Sequence, residues 1–394
     1  MRIRLLPPRL PLAAFALFTL VIGLWAALLR MGWNLPWLQS GQALAHGPLM
    51  VCGFLGTLIS LERAVALGRG WGYLAPGLAA LGGAALIAGV PGLAAPVLIF
   101  LASLVLIAIF AVIVRRQPAM FTVTMTAGAI AWAIGNVLWL AGVPIPEMVH
   151  WWMAFLVLTI VGERLELSRF LPPSRYGRPL FTAAVAFYVA GLAGSSLAPI
   201  SGHAVLGVGM VAMSAWLARF DIARFTLRQG GLPRFAAVCL LAGYVWLAAG
   251  GIFAMLADRW PSVVELRYDA MLHTVFLGFV FSMIFAHAPI IFPAVTGLRL
   301  PFRPVFYTHV LLLQLSLAWR IAGDCADSFA AYHWGGLLNV AAVLLFLGNT
   351  ACALLLGFRK PGHADALFAL SLPERVKNSR TAPRAAKRSH VEAD

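Results

Sequence analysis

The sequence predicts an all-α polytopic transmembrane bundle of about twelve helices. Hydrophobic residues make up 61% of the 394 residues and charged residues only 11%, whereas a soluble domain has about half apolar and about a quarter charged residues. Twelve apolar windows approach the ~20 residues that an α-helix needs to cross a bilayer. Basic residues are concentrated in alternate loops. These three observations argue against a water-soluble protein.

The predicted membrane segments form one domain over residues 1–360. They lie near residues 10–30, 41–61, 71–91, 94–114, 120–142, 147–162, 179–198, 200–218, 234–257, 268–290, 304–322 and 332–357. The first follows a basic N-terminus as in a signal peptide, but it is too long for a typical apolar region and lacks a clear cleavage site, so we predict an uncleaved anchor. Residues 361–394 are polar and basic, and we expect a disordered cytoplasmic tail.

The basic residues predict the orientation. Of 29 lysines and arginines, 25 lie at the N-terminus, in the loops on the same side or in the tail, and four lie opposite: Arg30, Arg259, Arg267 and Arg320. Because cytoplasmic loops are enriched in Lys and Arg, we expect both termini in the cytoplasm of a bacterial inner membrane. The net charge of +15 then reflects topology and contact with anionic lipids. The predicted partner is the lipid bilayer, and no nucleic acid is expected.

Histidines in the predicted helices are the candidate functional residues, because ionisable groups within a membrane are costly and usually functional. Two lie toward the inner side, His287 and His309. Five lie within about two turns of the outer ends of five helices: His46, His150, His203, His273 and His333. For any single histidine, a hydrogen-bonded role in the protein core is an equally good interpretation. Five histidines at one depth, however, indicate a shared role. Imidazole is a common metal and haem ligand, and a helical bundle can bring two together.

Two segments resemble the catalytic subunit of haem-copper oxidases. Residues 46–54 read HGPLMVCGF, and the tenth helix begins with His273 and ends in FPAVTG at 292–297. That family opens helix two with His-Gly-x-x-Met, and its helix-ten histidine precedes Phe-Pro-x-x-Ser/Thr-Gly. The helix-two pattern is also similar to the NnrS family of membrane haem and copper proteins linked to the nitric oxide response. We regard NnrS as the closer relative, because the chain is short and lacks the oxidase's other ligands.

The resemblance implies a fold like that of haem-copper oxidase subunit I, with His46 and His273 as axial ligands of a low-spin haem b. Arg320, at the outer end of helix eleven, would pair with the anionic haem propionates; the alternative is an interfacial arginine whose head group reaches water. The chain departs from NnrS where Pro48 and Leu49 replace a histidine and a glutamate.

Glycines beside these histidines permit two interpretations, and both stay open. They are Gly47, Gly53 and Gly56 on the second helix and Gly278 on the tenth. They leave room either for a flat macrocycle or for close helix packing.

A second haem is a further hypothesis. Fourteen residues separate His273 from His287, and in a straight α-helix this spacing places both on one face, roughly 21 Å apart. Cytochrome b-type bundles use this spacing for two haems, and His309 could supply the inner partner. The alternative is that Pro289, two residues beyond His287, marks a helix kink.

A copper site is the other metal hypothesis. His150, His203 and His333 lie at the outer level, and Met148 and Met153 are close to His150 in sequence. Imidazole and thioether groups bind copper. Hydrogen-bonded or interfacial histidines are the alternative.

The protein is not expected to reduce dioxygen, and no catalytic residues are assigned. That chemistry needs a high-spin haem beside copper held by three histidines, but the predicted seventh helix has no histidine, and Met271 and Ala154 occupy positions at which the oxidases have a histidine and a tyrosine. A bis-histidine haem leaves no open metal position. The expected roles are electron transfer with a redox partner protein, the response to nitric oxide, or binding of a small gas after one histidine dissociates.

Two other function classes compete with haem binding. Twelve helices interrupted by Gly and Pro also fit a secondary transporter, although the membrane midplane offers few polar residues beyond Asn136. An assembly or signalling component of respiratory complexes is the third alternative.

Overall fold

The structure is a computed structural model that describes residues 9–38, 41–169, 171, 174–256, 264–296 and 300–358, without the side chains of 200, 264–267, 294–296 and 357–358. The predicted tail at 361–394 and the basic residues Arg2, Arg4 and Arg259 lie outside the described residues.

All regular elements in the described ranges are helices, and twelve of them have at least 18 residues. They are α1 (Arg9–Arg30), α2 (Gln42–Leu67), α3 (Gly70–Ile87), α4 (Ala94–Arg116), α5 (Met120–Leu140), α6 (Ile145–Ser168), α7 (Gly177–Ser195), α8 (Pro199–Phe220), α9 (Gly231–Leu256), α10 (264–296), α11 (Phe306–Cys325) and α12 (Phe329–Phe358). The prediction of an all-helical chain is confirmed for these residues.

Ten of these helices are long and apolar enough to cross a membrane, which indicates a multi-pass membrane protein. The other two, α7 and α11, have 19 and 20 residues and lie where the sequence predicts two further spans. The count of twelve spans therefore stays a prediction.

Helix α6 extends further than its apolar window. The window ends at residue 162 because Glu163 and Arg164 are charged, but the helix continues to Ser168. Arg63 at the end of α2 donates to Glu163, and Arg164 forms two hydrogen bonds of 2.7 Å with Asp221. Buried charges are tolerated when they are paired. These contacts join the ends of α2, α6 and α8 at the end of the bundle opposite His46.

Both helices that carry the predicted haem ligands contain an eight-residue π-helical segment. In α2 it covers Leu49–Gly56 and begins three residues after His46, and in α10 it covers Thr274–Phe281 and begins directly after His273. Such i→i+5 segments are rare and frequently occur at functional sites. The two segments meet where the rings of Phe54 and Phe281 lie 6.3 Å apart.

The π segment corrects the geometry assumed for His273 and His287. The prediction that both lie on one face assumes an uninterrupted α-helix, but eight of the intervening residues have wider π-helical turns. The assumption of a straight α-helix is wrong here. The helix nevertheless continues through Pro289 and Pro293 to Thr296.

Candidate functional site

A cavity of about 440 Å³ opens at the end of the bundle where α2 and α10 begin. Its size lies within the ~300–1,000 Å³ of typical ligand pockets. Apolar residues from several helices form its walls, including Leu24, Met50, Val51, Leu55, Phe276 and Phe281. The polar residues that line it are Arg30, His46, Tyr268, Asp269, His273, Arg320, Tyr332 and Asn339. The structure therefore brings His46, His273 and Arg320 into one site.

His46 is oriented by α1. Its Nδ1 lies 2.9 Å from the carbonyl oxygen of Gly23, so Nδ1 carries the proton and donates it to that carbonyl. Nε2 of His46 has no hydrogen-bond partner among the described residues. This is the arrangement of a metal-binding histidine, in which one ring nitrogen donates to the protein and the other remains free to bind.

His273 is oriented in the same way within α10. Its Nδ1 lies 2.9 Å from the backbone oxygen of Asp269 and 3.1 Å from Oδ1 of the same residue. A carboxylate behind a histidine fixes its tautomer and increases its basicity as a ligand. In the described structure Nε2 of His273 also lacks a hydrogen-bond partner.

Arg320 is held by Asp269. Oδ2 of Asp269 accepts from Nη2 of Arg320 at 2.7 Å and from Nε at 3.1 Å, and Oδ1 accepts from Nη2 at 3.0 Å. The guanidinium group also lies 5.0 Å from the ring centre of Tyr332. Arg320 is only 5% exposed, so it is not an interfacial arginine that extends to water. Its Nη1 has no hydrogen bond to the described residues.

Asp269 was not recognised as a candidate from the sequence, although two signals mark it. It is an acidic residue in an apolar segment, where ionisable groups are costly. It also precedes His273 by four residues, a spacing that places two side chains on one helix face. Arg30, Tyr268 and Tyr332 were likewise missed, because their place at the cavity depends on contacts between helices.

The glycines separate into two groups. A Cβ added to Gly53, Gly56 or Gly278 would meet the side chains of Thr19, Trp132 or Trp246 within 2.6 Å, so these three glycines serve close helix packing. A Cβ added to Gly47 would meet nothing within 4 Å, and Gly47 lines the cavity. Only Gly47, of the four, contributes open space.

The histidines proposed for a second haem have other partners. Arg164 donates to Nε2 of His287 at 3.1 Å, and Nδ1 of His287 donates to the carbonyl oxygen of Met283 at 2.8 Å. Nδ1 of His309 accepts from Asn349 at 3.1 Å. Both ring nitrogens of His287 are engaged, so this residue is not placed as a haem ligand.

The histidines proposed for copper are only partly brought together. The rings of His150 and His203 lie 4.6 Å apart, and Nε2 of His150 is buried without a partner among the described residues. His333 stacks on Trp33 at 4.1 Å and bonds to the carbonyl oxygen of Met31. No group of three or more His, Cys, Asp or Glu residues within the described ranges is placed to hold a metal ion.

Comparison with known proteins places the chain in a family. The model of the family described as Domain of unknown function (DUF8744) matches residues 9–355. No curated protein matches the chain significantly. Because the match extends from the first residue of α1 into α12 and covers well over half of the sequence, the chain belongs to the DUF8744 family.

Proposed function

We propose that the protein binds haem b in the cavity, with His46 and His273 as the two axial ligands, and that it serves electron transfer or the response to nitric oxide. One observation carries the proposal. Two histidines on different helices line the same cavity, and each has its Nδ1 held by a carbonyl oxygen so that Nε2 remains to bind iron. This arrangement is typical of histidines that bind metals.

The other residues of the cavity suit the rest of the macrocycle. Its apolar walls match the porphyrin ring, and the open space beside Gly47 matches its flat shape. Arg320 and Arg30 both line the cavity and would pair with the two propionates, because arginine is well suited to carboxylates. Asp269 would keep Arg320 in place.

The proposed role in electron transfer follows from the two histidines that would bind the haem iron. When bound, the haem supplies a one-electron carrier. His46 and His273 would both hold the haem iron and would leave no position for a substrate, so we predict exchange of electrons with a redox partner protein rather than reduction of dioxygen. Binding of a gas such as nitric oxide then requires that His46 or His273 dissociates.

The proposal includes an architecture and a location. We propose that α7 and α11 complete a bundle of twelve spans related to NnrS proteins and to haem-copper oxidase subunit I, located in a bacterial inner membrane. The predicted excess of basic residues on one side supports cytoplasmic termini. The cavity would then face the outer side.

The test is a set of three histidine variants purified from a haem-sufficient host. The wild type should show a Soret band and the pyridine haemochrome of haem b. His46→Ala and His273→Ala should each lose most of the bound haem, whereas His203→Ala, which does not line the cavity, should retain it. Equal haem in all four proteins would rule out these ligands.

A secondary transporter is the second candidate function. The charged residues Arg30, Asp269 and Arg320 in an open cavity would suit a small ion. Asn136, which the sequence places at the membrane midplane, gives no support to a transporter. It lies in the last turns of α5, and its Oδ1 accepts from Nε1 of Trp152 at 3.0 Å, a contact that packs α5 against α6. Uptake of a charged solute by proteoliposomes of colourless protein would favour the transporter.

A further inference from the structure

Asp324 is a buried carboxyl group to which none of the described residues donates a hydrogen bond. It lies in the last turn of α11 and is 3% exposed, and neither carboxyl oxygen has a hydrogen-bond partner among the described residues. An ionised carboxylate is costly in such a place unless it is paired. Asp269 provides the contrast, because it is saturated by Arg320 and His273.

The surroundings link Asp324 to the cavity. The titratable or charged side chains around it are Arg320 and Cys325 on its own helix, Asp269 on α10 and Tyr332 on α12. Arg320 precedes it by one turn, so their side chains lie on the same helix face. Arg320 forms its ion pair with Asp269, however, and Asp269 contacts His273. Asp324 therefore faces the charges behind the proposed haem ligand without being neutralised by them.

We propose that Asp324 is a redox-linked proton site, which binds one proton when the centre held by His46 and His273 gains one electron. This inference rests on the proposed function. The electron comes from a one-electron donor, such as a reduced partner protein, and the proton comes from water. One O–H bond forms on the Asp324 carboxylate, no bond to the centre changes, and oxidation reverses both transfers.

Two physical arguments support the coupling. Reduction adds negative charge at the centre held by His46 and His273. Contacts run from His273 through Asp269 to Arg320, which lies one turn before Asp324. Charges interact strongly where water is excluded. None of the described residues donates a hydrogen bond that would stabilise the charge of the Asp324 carboxylate, so protonation would remove an uncompensated charge. Asp324 also lies near the end of α11, where Cys325 and Asp327 beyond it are exposed.

The test is a redox titration of the haem-loaded protein at a series of pH values. The midpoint potential of the wild type should fall by ~59 mV per pH unit over part of the range from about pH 5 to about pH 9, since a tenfold change in proton activity corresponds to 59 mV for a one-electron couple. Asp324→Asn should abolish most of this slope. Asp327→Asn, an exposed aspartate three residues further on, should leave it unchanged.

A second measurement does not depend on the variant. The infrared difference spectrum of the wild type, reduced minus oxidised, should contain the carbonyl stretch of a protonated carboxylic acid, and this band should shift in deuterated water. A spectrum without it, or a slope that persists in a haem-loaded Asp324→Asn protein, would overturn the inference and leave haem binding intact. A colourless wild type would overturn both.

Discussion

Asp269 and Arg320 form a charged pair at the wall of the cavity, with Nη2 of Arg320 at 2.7 Å from Oδ2 of Asp269. The same carboxylate contacts Nδ1 of His273 through Oδ1 at 3.1 Å. One side chain therefore orients both a proposed haem ligand and a proposed propionate partner. An ion pair on the surface contributes little to stability, but Arg320 is only 5% exposed.

Asp269→Asn tests this joint role. The amide keeps the shape of the side chain but loses the charge that holds Arg320 and supports His273. Removal of a carboxylate that supports a metal-binding histidine typically lowers metal affinity by ~10–100-fold, and we expect a loss of this order in haem affinity. Haem titration of the haem-free protein measures it. Wild-type affinity in Asp269→Asn would show that the carboxylate has no such role.

Gly47→Leu tests whether the cavity holds the macrocycle. A side chain at position 47 would project into open space beside His46, so the protein should fold and fail to bind haem. Gly77→Leu is the matched control, because its Cβ also meets nothing within 4 Å and it does not line the cavity. Size-exclusion profiles and haem content of both variants are the measurement, and normal haem in Gly47→Leu would place the macrocycle elsewhere.

Arg164→Ala should destabilise the fold without emptying the site. The ion pair between Arg164 and Asp221 is 3% and 1% exposed, and removal of one buried partner leaves an uncompensated charge at a cost of about 3–5 kcal/mol. Thermal unfolding in detergent measures the loss. Arg169→Ala is the control, because its pair with Glu166 is largely exposed and longer, at 3.6 Å. Equal unfolding temperatures for both variants would contradict the prediction.

Haem stoichiometry distinguishes one haem from two. Since both ring nitrogens of His287 have protein partners, we expect one haem per chain and unchanged haem content in His287→Ala and His309→Ala. Iron and haem assays on purified protein provide the count. Two haems per chain, with one lost in His287→Ala, would restore the second haem site.

Copper content tests the outer histidines. The structure brings together His150 and His203 and places His333 against Trp33, and two imidazoles alone make a poor site. We expect haem iron in purified protein and copper at background level. Stoichiometric copper that disappears in His150→Ala would contradict this prediction and restore the copper site.

The helix positions and the two candidate haem ligands could be predicted from the sequence, because both have strong local signals. Apolar windows predicted the positions of the helices, because lipid requires continuous apolar segments, and the two histidine motifs pointed to His46 and His273. Helix α6 was predicted too short, since the charges at Glu163 and Arg164 resemble a helix end until their partners on other helices are known.

The remaining features arise from contacts that no single segment encodes. The pair between Asp269 and Arg320 joins residues that are 51 positions apart. The π segments after His46 and His273 have no composition that distinguishes them from α-helix, and for this reason the sequence predicts a straight α-helix between His273 and His287. The role of the glycines depended on which of them meets a side chain from another helix.

The measurement that tests the central claim most directly is the optical spectrum of the purified wild-type protein, combined with a haem assay. We predict a Soret band, low-spin spectra in both redox states and one haem b per chain, because His46 and His273 line one cavity and are the proposed haem ligands. Colourless protein from a haem-sufficient host, still colourless after addition of haem, would contradict the proposed function.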